Sequence, residues 1–79
     1  MDFRTALNQT LKRFGIKAAA LSEACGISPM EISRFRKGHK DVNAATLKRM
    51  VDALPNEARL YFYYLLMAYP GSSEGLSDD

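Results

Sequence analysis

The stretch that most restricts what this chain can become runs from Lys17 to Gly38, KAAALSEACGISPMEISRFRKG. Gly26 divides it into two short helical segments, and the second carries a full set of start signals. Ser28 can cap the helix with its hydroxyl, Pro29 takes the first helical position, where a missing N–H costs nothing, and Glu31 stands where a capping-box carboxylate reaches back. Ile27 before the cap and Ile32 after it predict a hydrophobic staple. Within this helix Ile32 and Phe35 share an inward face, while Met30, Ser33, Arg34 and Lys37 fall on the other side. A short helix with a fixed start, an apolar back and a front of Arg, Lys, Ser and Met is built to present side chains to a partner.

The run Leu21-Ser22-Glu23-Ala24-Cys25-Gly26-Ile27-Ser28, followed by Ile32-Ser33-Arg34-Phe35 and then Gly38, resembles the helix-turn-helix of the phage repressor and Cro family, the Xre-like regulators. The likeness extends through Asn43 to Leu54 and covers most of the chain. It implies an all-α fold of five short helices, with the motif formed by the second and third. It also implies sequence-specific binding of double-stranded DNA by a small dimeric transcriptional regulator, expected to be a repressor on a two-fold symmetric operator. The helix that starts at Ser28 would then enter the major groove and offer Pro29, Met30, Ser33 and Arg34 to base edges, with Arg34 gripping a guanine and Met30 touching a thymine methyl. Phosphate contacts would come from Ser28, Lys37, His39, Lys40, Asn43 and Thr46, around the ends of that helix and the start of the next. Two positions depart from the family's habit. Ala18 stands where a phosphate-touching Gln is common, and Arg36 stands where Glu is common, which adds positive charge near the DNA side.

The charge distribution agrees with this direction. The net charge is only +2, but residues 1–54 hold ten Lys and Arg against five Asp and Glu, and residues 55–79 hold one Arg against four acids. The basic half is the half with the motif, so a polyanion is drawn to it and the acidic end is kept away. With 79 residues, 47% of them hydrophobic, the chain predicts one small folded domain of marginal core size. The lone Cys25 falls on an inward face and reads as a core residue in a reducing cytosol. There is no apolar run of signal-peptide type and none near the roughly 20 residues of a membrane span. The expected setting is therefore the cytoplasm, at the nucleoid, for a protein encoded by a bacterium or a phage.

Along the rest of the chain, Asp2 can cap a first helix with Phe3, Leu7, Leu11 and Phe14 at helical spacing, ended by Gly15. Ala18 to Cys25 is the second helix, Val42 and Leu47 can staple a fourth helix capped by Asn43, and this helix is expected to run from Ala44 to Leu54. After Pro55 a fifth helix is expected over Glu57 to Tyr69. Between Leu60 and Tyr69 every position is apolar or Tyr, so the apolar surface wraps all round and one side must look outward. That side predicts a homodimer interface from Leu60, Tyr61, Tyr63, Tyr64, Leu65, Met67 and Ala68, with Tyr61, Tyr64, Leu65 and Ala68 as one continuous stripe and Leu60, Tyr63 and Met67 as its neighbour, the rotation of the helix deciding which looks outward. The domain is expected to span 1–69, and the acidic segment 70–79 to be disordered. No metal-ligand set, phosphate-cradling Gly-rich loop or nucleophile with a base is present in the sequence, so neither a cofactor nor an enzyme is expected. The alternative function is a protein–protein interaction module that keeps the helix-turn-helix scaffold and binds through the aromatic helix.

Overall fold

Every helix leaves backbone groups unpaired at its two ends, and in this chain capping side chains start three of the helices and glycines end three. The structure, a computed structural model, describes residues 1–70 and places five helices in them: α1 Phe3–Phe14, α2 Ala18–Cys25, α3 Pro29–Lys37, α4 Ala44–Asp52 and α5 Asn56–Ala68. The Asp2 carboxylate accepts from the Thr5 N–H at 2.7 Å and starts α1. Asn43 starts α4 in the same way, its side-chain oxygen accepting from the Thr46 N–H at 2.8 Å. No strand occurs among the described residues, and the fold is all-α. The acidic segment expected to be disordered lies outside the described residues except for Pro70.

α1 packs on α5 on one side and on α3 on the other, while α2 packs on α3 and α4. The centre of this arrangement is filled by Leu7, Leu11, Leu21, Ile32, Met50 and Phe62, all almost wholly buried. Thr10, buried on α1, satisfies its hydroxyl by donating to the Ala6 carbonyl at 2.8 Å. Phe3 and Phe14, which share helical spacing with Leu7 and Leu11, lie at the two ends of α1 and stay exposed. They meet α5 from the rim, with Phe3 stacked on Phe62 at 6.4 Å and Phe14 edge-on to Tyr61 at 5.9 Å.

The cap on α1 titrates. The hydrogen bond from the Thr5 backbone holds the Asp2 carboxyl below its usual range, assisted by the nearby Arg4 charge. A carboxyl lowered on folding contributes stability above its unfolded pKa and loses it as the pH falls through the folded value. Asp2→Ala is therefore expected to cost about 1 kcal/mol at neutral pH. The gap to wild type should shrink at about pH 2.5, whereas Asp2→Asn, which keeps an acceptor, should stay near wild type at both. Paired thermal melts at the two pH values measure this.

Candidate nucleic-acid interface

α3 is held from behind and at its end, and left open at the front. Ile32 and Phe35 are buried, and Ile27 just before the helix is buried with them. The Ser28 hydroxyl oxygen accepts from the Glu31 N–H at 3.1 Å, so its hydrogen stays available to a phosphate oxygen. The return arm of the capping box expected from Glu31 is not formed. Its carboxylate lies instead 3.8 Å from the Lys40 ammonium, drawn across by the opposite charge on the following turn. At the other end, Gly38 takes the left-handed φ of 84° that side chains resist, and the Gly38 and His39 N–H groups bond back to the Phe35 and Arg34 carbonyls at 3.1 and 2.9 Å.

α1 supplies the remaining partners for that end. Arg4 Nε donates to the Phe35 carbonyl at 2.6 Å, and Asn8 Nδ2 donates to the Arg36 carbonyl at 3.0 Å. Arg36 Nε in turn donates to Asn8 Oδ1 at 2.7 Å. Arg36 is thus half-buried and clamped by a neutral partner, with no ion pair among the described residues, so its positive charge stays beside α3. The turn between α2 and α3 is fixed from α4, where Arg49 Nη2 donates to the Cys25 carbonyl at 2.9 Å. Gly26 there has φ 79°, and a Cβ on it would lie 2.8 Å from the same Arg49 nitrogen. The backbone conformation disfavours other residues at this turn, and a side chain there would also have to displace the Arg49 guanidinium.

On the open front, Pro29, Met30, Arg34 and Lys37 are exposed and Ser33 is half-buried. Arg34 and Lys37 form no ion pair among the described residues. Ser28 sits before this face, His39 and Lys40 are exposed on the turn after it, and Asn43 is exposed at the start of α4 with Thr46 half-buried behind it. Asn43 commits its oxygen to the cap, which leaves its amide hydrogens free to donate. Beside α3 runs a shallow groove of about 290 Å³ lined by Asn8, Ala18, Ser33, Arg36 and Lys37. Its continuation is bordered by Lys12 and Lys17, where α2 begins with no side-chain cap. Sequence reasoning passed over Arg4 and Asn8. Their partners are mostly main-chain carbonyls about 30 residues away, which leave no mark on a sequence pattern.

The aromatic helix resolves into two faces. Ala58, Phe62 and Leu65 enter the core, which removes Leu65, only 3% exposed, from the outward stripe. Tyr61 is half-buried, covered by the Phe14 edge and by the Arg13 guanidinium 4.8 Å from its ring centroid. The outward surface is carried by Leu60, Tyr64 and Met67, at 69%, 55% and 81% exposed, with Tyr63 and Ala68 alongside. No helix among the described residues is long and apolar enough to cross a membrane. No group of three or more His, Cys, Asp and Glu that could hold a metal ion occurs among them either.

The helix-turn-helix family model matches residues 7–59, which takes in all of α2 to α4 and most of α1. The chain belongs to this family, of the Xre and Cro type, and is a DNA-binding transcription regulator of the helix-turn-helix class. No curated protein and no solved structure matches it.

Proposed function

We infer that the protein is a sequence-specific repressor that binds a two-fold symmetric operator as a homodimer, with α3 in the major groove. The observation that carries this reading is the division of α3. Its back is core and its end carbonyls are clamped by α1, while Met30, Ser33 and Arg34 face outward on a helix that cannot easily rotate. Pro29, Met30, Ser33 and Arg34 form the base-reading set; Ser28, Lys37, His39, Lys40, Asn43 and Thr46 form the phosphate set. Repression follows from occupancy alone, since a dimer seated on a promoter excludes polymerase without any further activity. The dimer forms through the outward face of α5.

Selection of bound duplexes from a random pool, followed by salt titration of the best one, tests the reading. A two-fold symmetric consensus with steep salt dependence supports it, and weak binding without sequence preference would favour the interaction module. On the selected duplex Arg34→Ala is expected to lose about 1 to 3 kcal/mol and to relax the preference at one base pair per half-site. Lys37→Ala should instead weaken selected and random DNA alike and lower the salt slope by about one. Lys40→Ala should lose more than Lys37→Ala, because it leaves the Glu31 carboxylate unpaired beside the DNA. Equal losses on selected and random DNA for Arg34→Ala would make that residue a phosphate contact.

A further inference from the structure

Arg4 stands on α1, yet its guanidinium ties together the end of α3 and the turn beyond it. Besides the bond from Nε to the Phe35 carbonyl, Nη2 donates to the Asp41 carboxylate at 2.6 Å and, more weakly, to the Lys40 carbonyl at 3.4 Å. The guanidinium carbon lies 4.9 Å from the Phe35 ring centroid, so the group is also fixed against the aromatic face. One rigid fork therefore spans two separate pieces of backbone.

The pair with Asp41 makes little sense as a stabilising device. The Asp41 side chain is 93% exposed, and exposed ion pairs contribute almost nothing to folding. Its position also costs something for the function, because it places an acid beside Lys40 on the turn that is to meet phosphate. A carboxylate there is tolerable while Arg4 neutralises it, and the geometry it gains is a fixed angle between the turn and the recognition helix. Resting on the reading of α3 as the helix that enters the groove, we propose that Arg4 is a positioning residue for DNA recognition. It locks the turn at Gly38 to Asp41 onto the end of α3, so that base reading and phosphate grip reach the DNA in one register.

Three variants of the full chain test this: Asp41→Ala, Arg4→Lys and Arg4→Gln. Each is measured for thermal stability by circular dichroism and for affinity to a selected duplex and a random duplex, at a temperature where it is folded. Asp41→Ala, which removes the acceptor together with the charge, should melt with wild type, bind random DNA as well or better because an acid is gone, and yet lose about tenfold in the ratio of selected to random affinity. Arg4→Lys should lose that ratio as Arg4→Gln does, because an ammonium keeps the charge but not the fork.

Other results overturn the proposal, and they separate its failure from that of the underlying reading. If Asp41→Ala raises both affinities equally, the carboxylate acts only as a charge. If the Arg4 variants melt lower but keep the wild-type ratio, Arg4 serves the fold alone. If Arg4→Lys restores the ratio fully, charge suffices and the fork positions nothing. In all three cases wild type still discriminates; a wild type that binds selected and random DNA equally would sink the placement of α3 itself.

Discussion

Phe62→Ala is expected to leave little folded protein at 37 °C. The ring is 1% exposed at the centre of the contact between α1 and α5, stacked on Phe3 and edge-on to Tyr63 at 5.4 Å. Truncating such a side chain to alanine costs about 3 to 5 kcal/mol, transfer and cavity together. A domain of this length has a stability on the order of 4 to 10 kcal/mol, so the loss takes a large part of the whole. Phe62→Leu should cost much less, and Tyr63→Ala next to it least of all, because Tyr63 lies at the exposed edge. Melts followed at the helical circular dichroism band rank the three. A melting point for Phe62→Ala within a few degrees of wild type would mean that α5 does not share the core.

The second large effect is on DNA binding and leaves the fold intact. Tyr64→Lys combined with Met67→Lys charges two side chains that face solvent, so the monomer should stay folded and melt below wild type only by what dimerisation contributes. If α5 pairs with a second copy about a two-fold axis, the variant should sediment as a monomer. It should then bind the symmetric operator at least about a hundredfold more weakly, since the second half-site is no longer delivered at high effective concentration. The half-sites of such operators lie about 34 to 36 Å apart, so one α3 without its partner reads too little sequence to choose a site. A wild-type chain that stays monomeric at high concentration, or a double variant that stays dimeric, removes α5 from the dimer. Its exposed side would then belong to another protein, as the interaction-module reading holds.

Local chemistry was legible in the sequence, and distant chemistry was not. Asp2, Ser28 and Asn43 could be named as caps because a cap acts on an N–H only three residues on, within the reach of a short motif. Glu31 misled for the opposite reason. The capping box is a local rule, and Lys40 competes for the same carboxylate from beyond the helix. The end of α4 at Asp52, two residues before the expected Leu54, shows the usual softness of helix ends. The outward face of α5 stayed open because its apolar run has no period, and the interface expected from it took in Leu65, which belongs to the core. A signal was present upstream of that run: Asn56, Glu57 and Arg59 mark three directions as polar and leave only the stripe through Ala58, Phe62 and Leu65 for the core. The clamps Arg4 to Phe35, Asn8 to Arg36 and Arg49 to Cys25 join residues 31, 28 and 24 apart through carbonyls, and no residue pattern encodes a carbonyl.

The packing of α1 against both α3 and α5 also has a consequence for folding during synthesis. Most neighbours in this fold are close in sequence, as in other helical domains that close quickly, and α2, α3 and α4 can meet as soon as they emerge from the ribosome. α1 is made first but lacks its main partner until α5 has followed it. Since α1 carries the arginine and asparagine that hold the end of α3, a nascent chain can form its helix-turn-helix early without yet holding it at a fixed angle. If α3 is the helix that reads DNA, as proposed, competence to discriminate between sites arrives late, with the last helix.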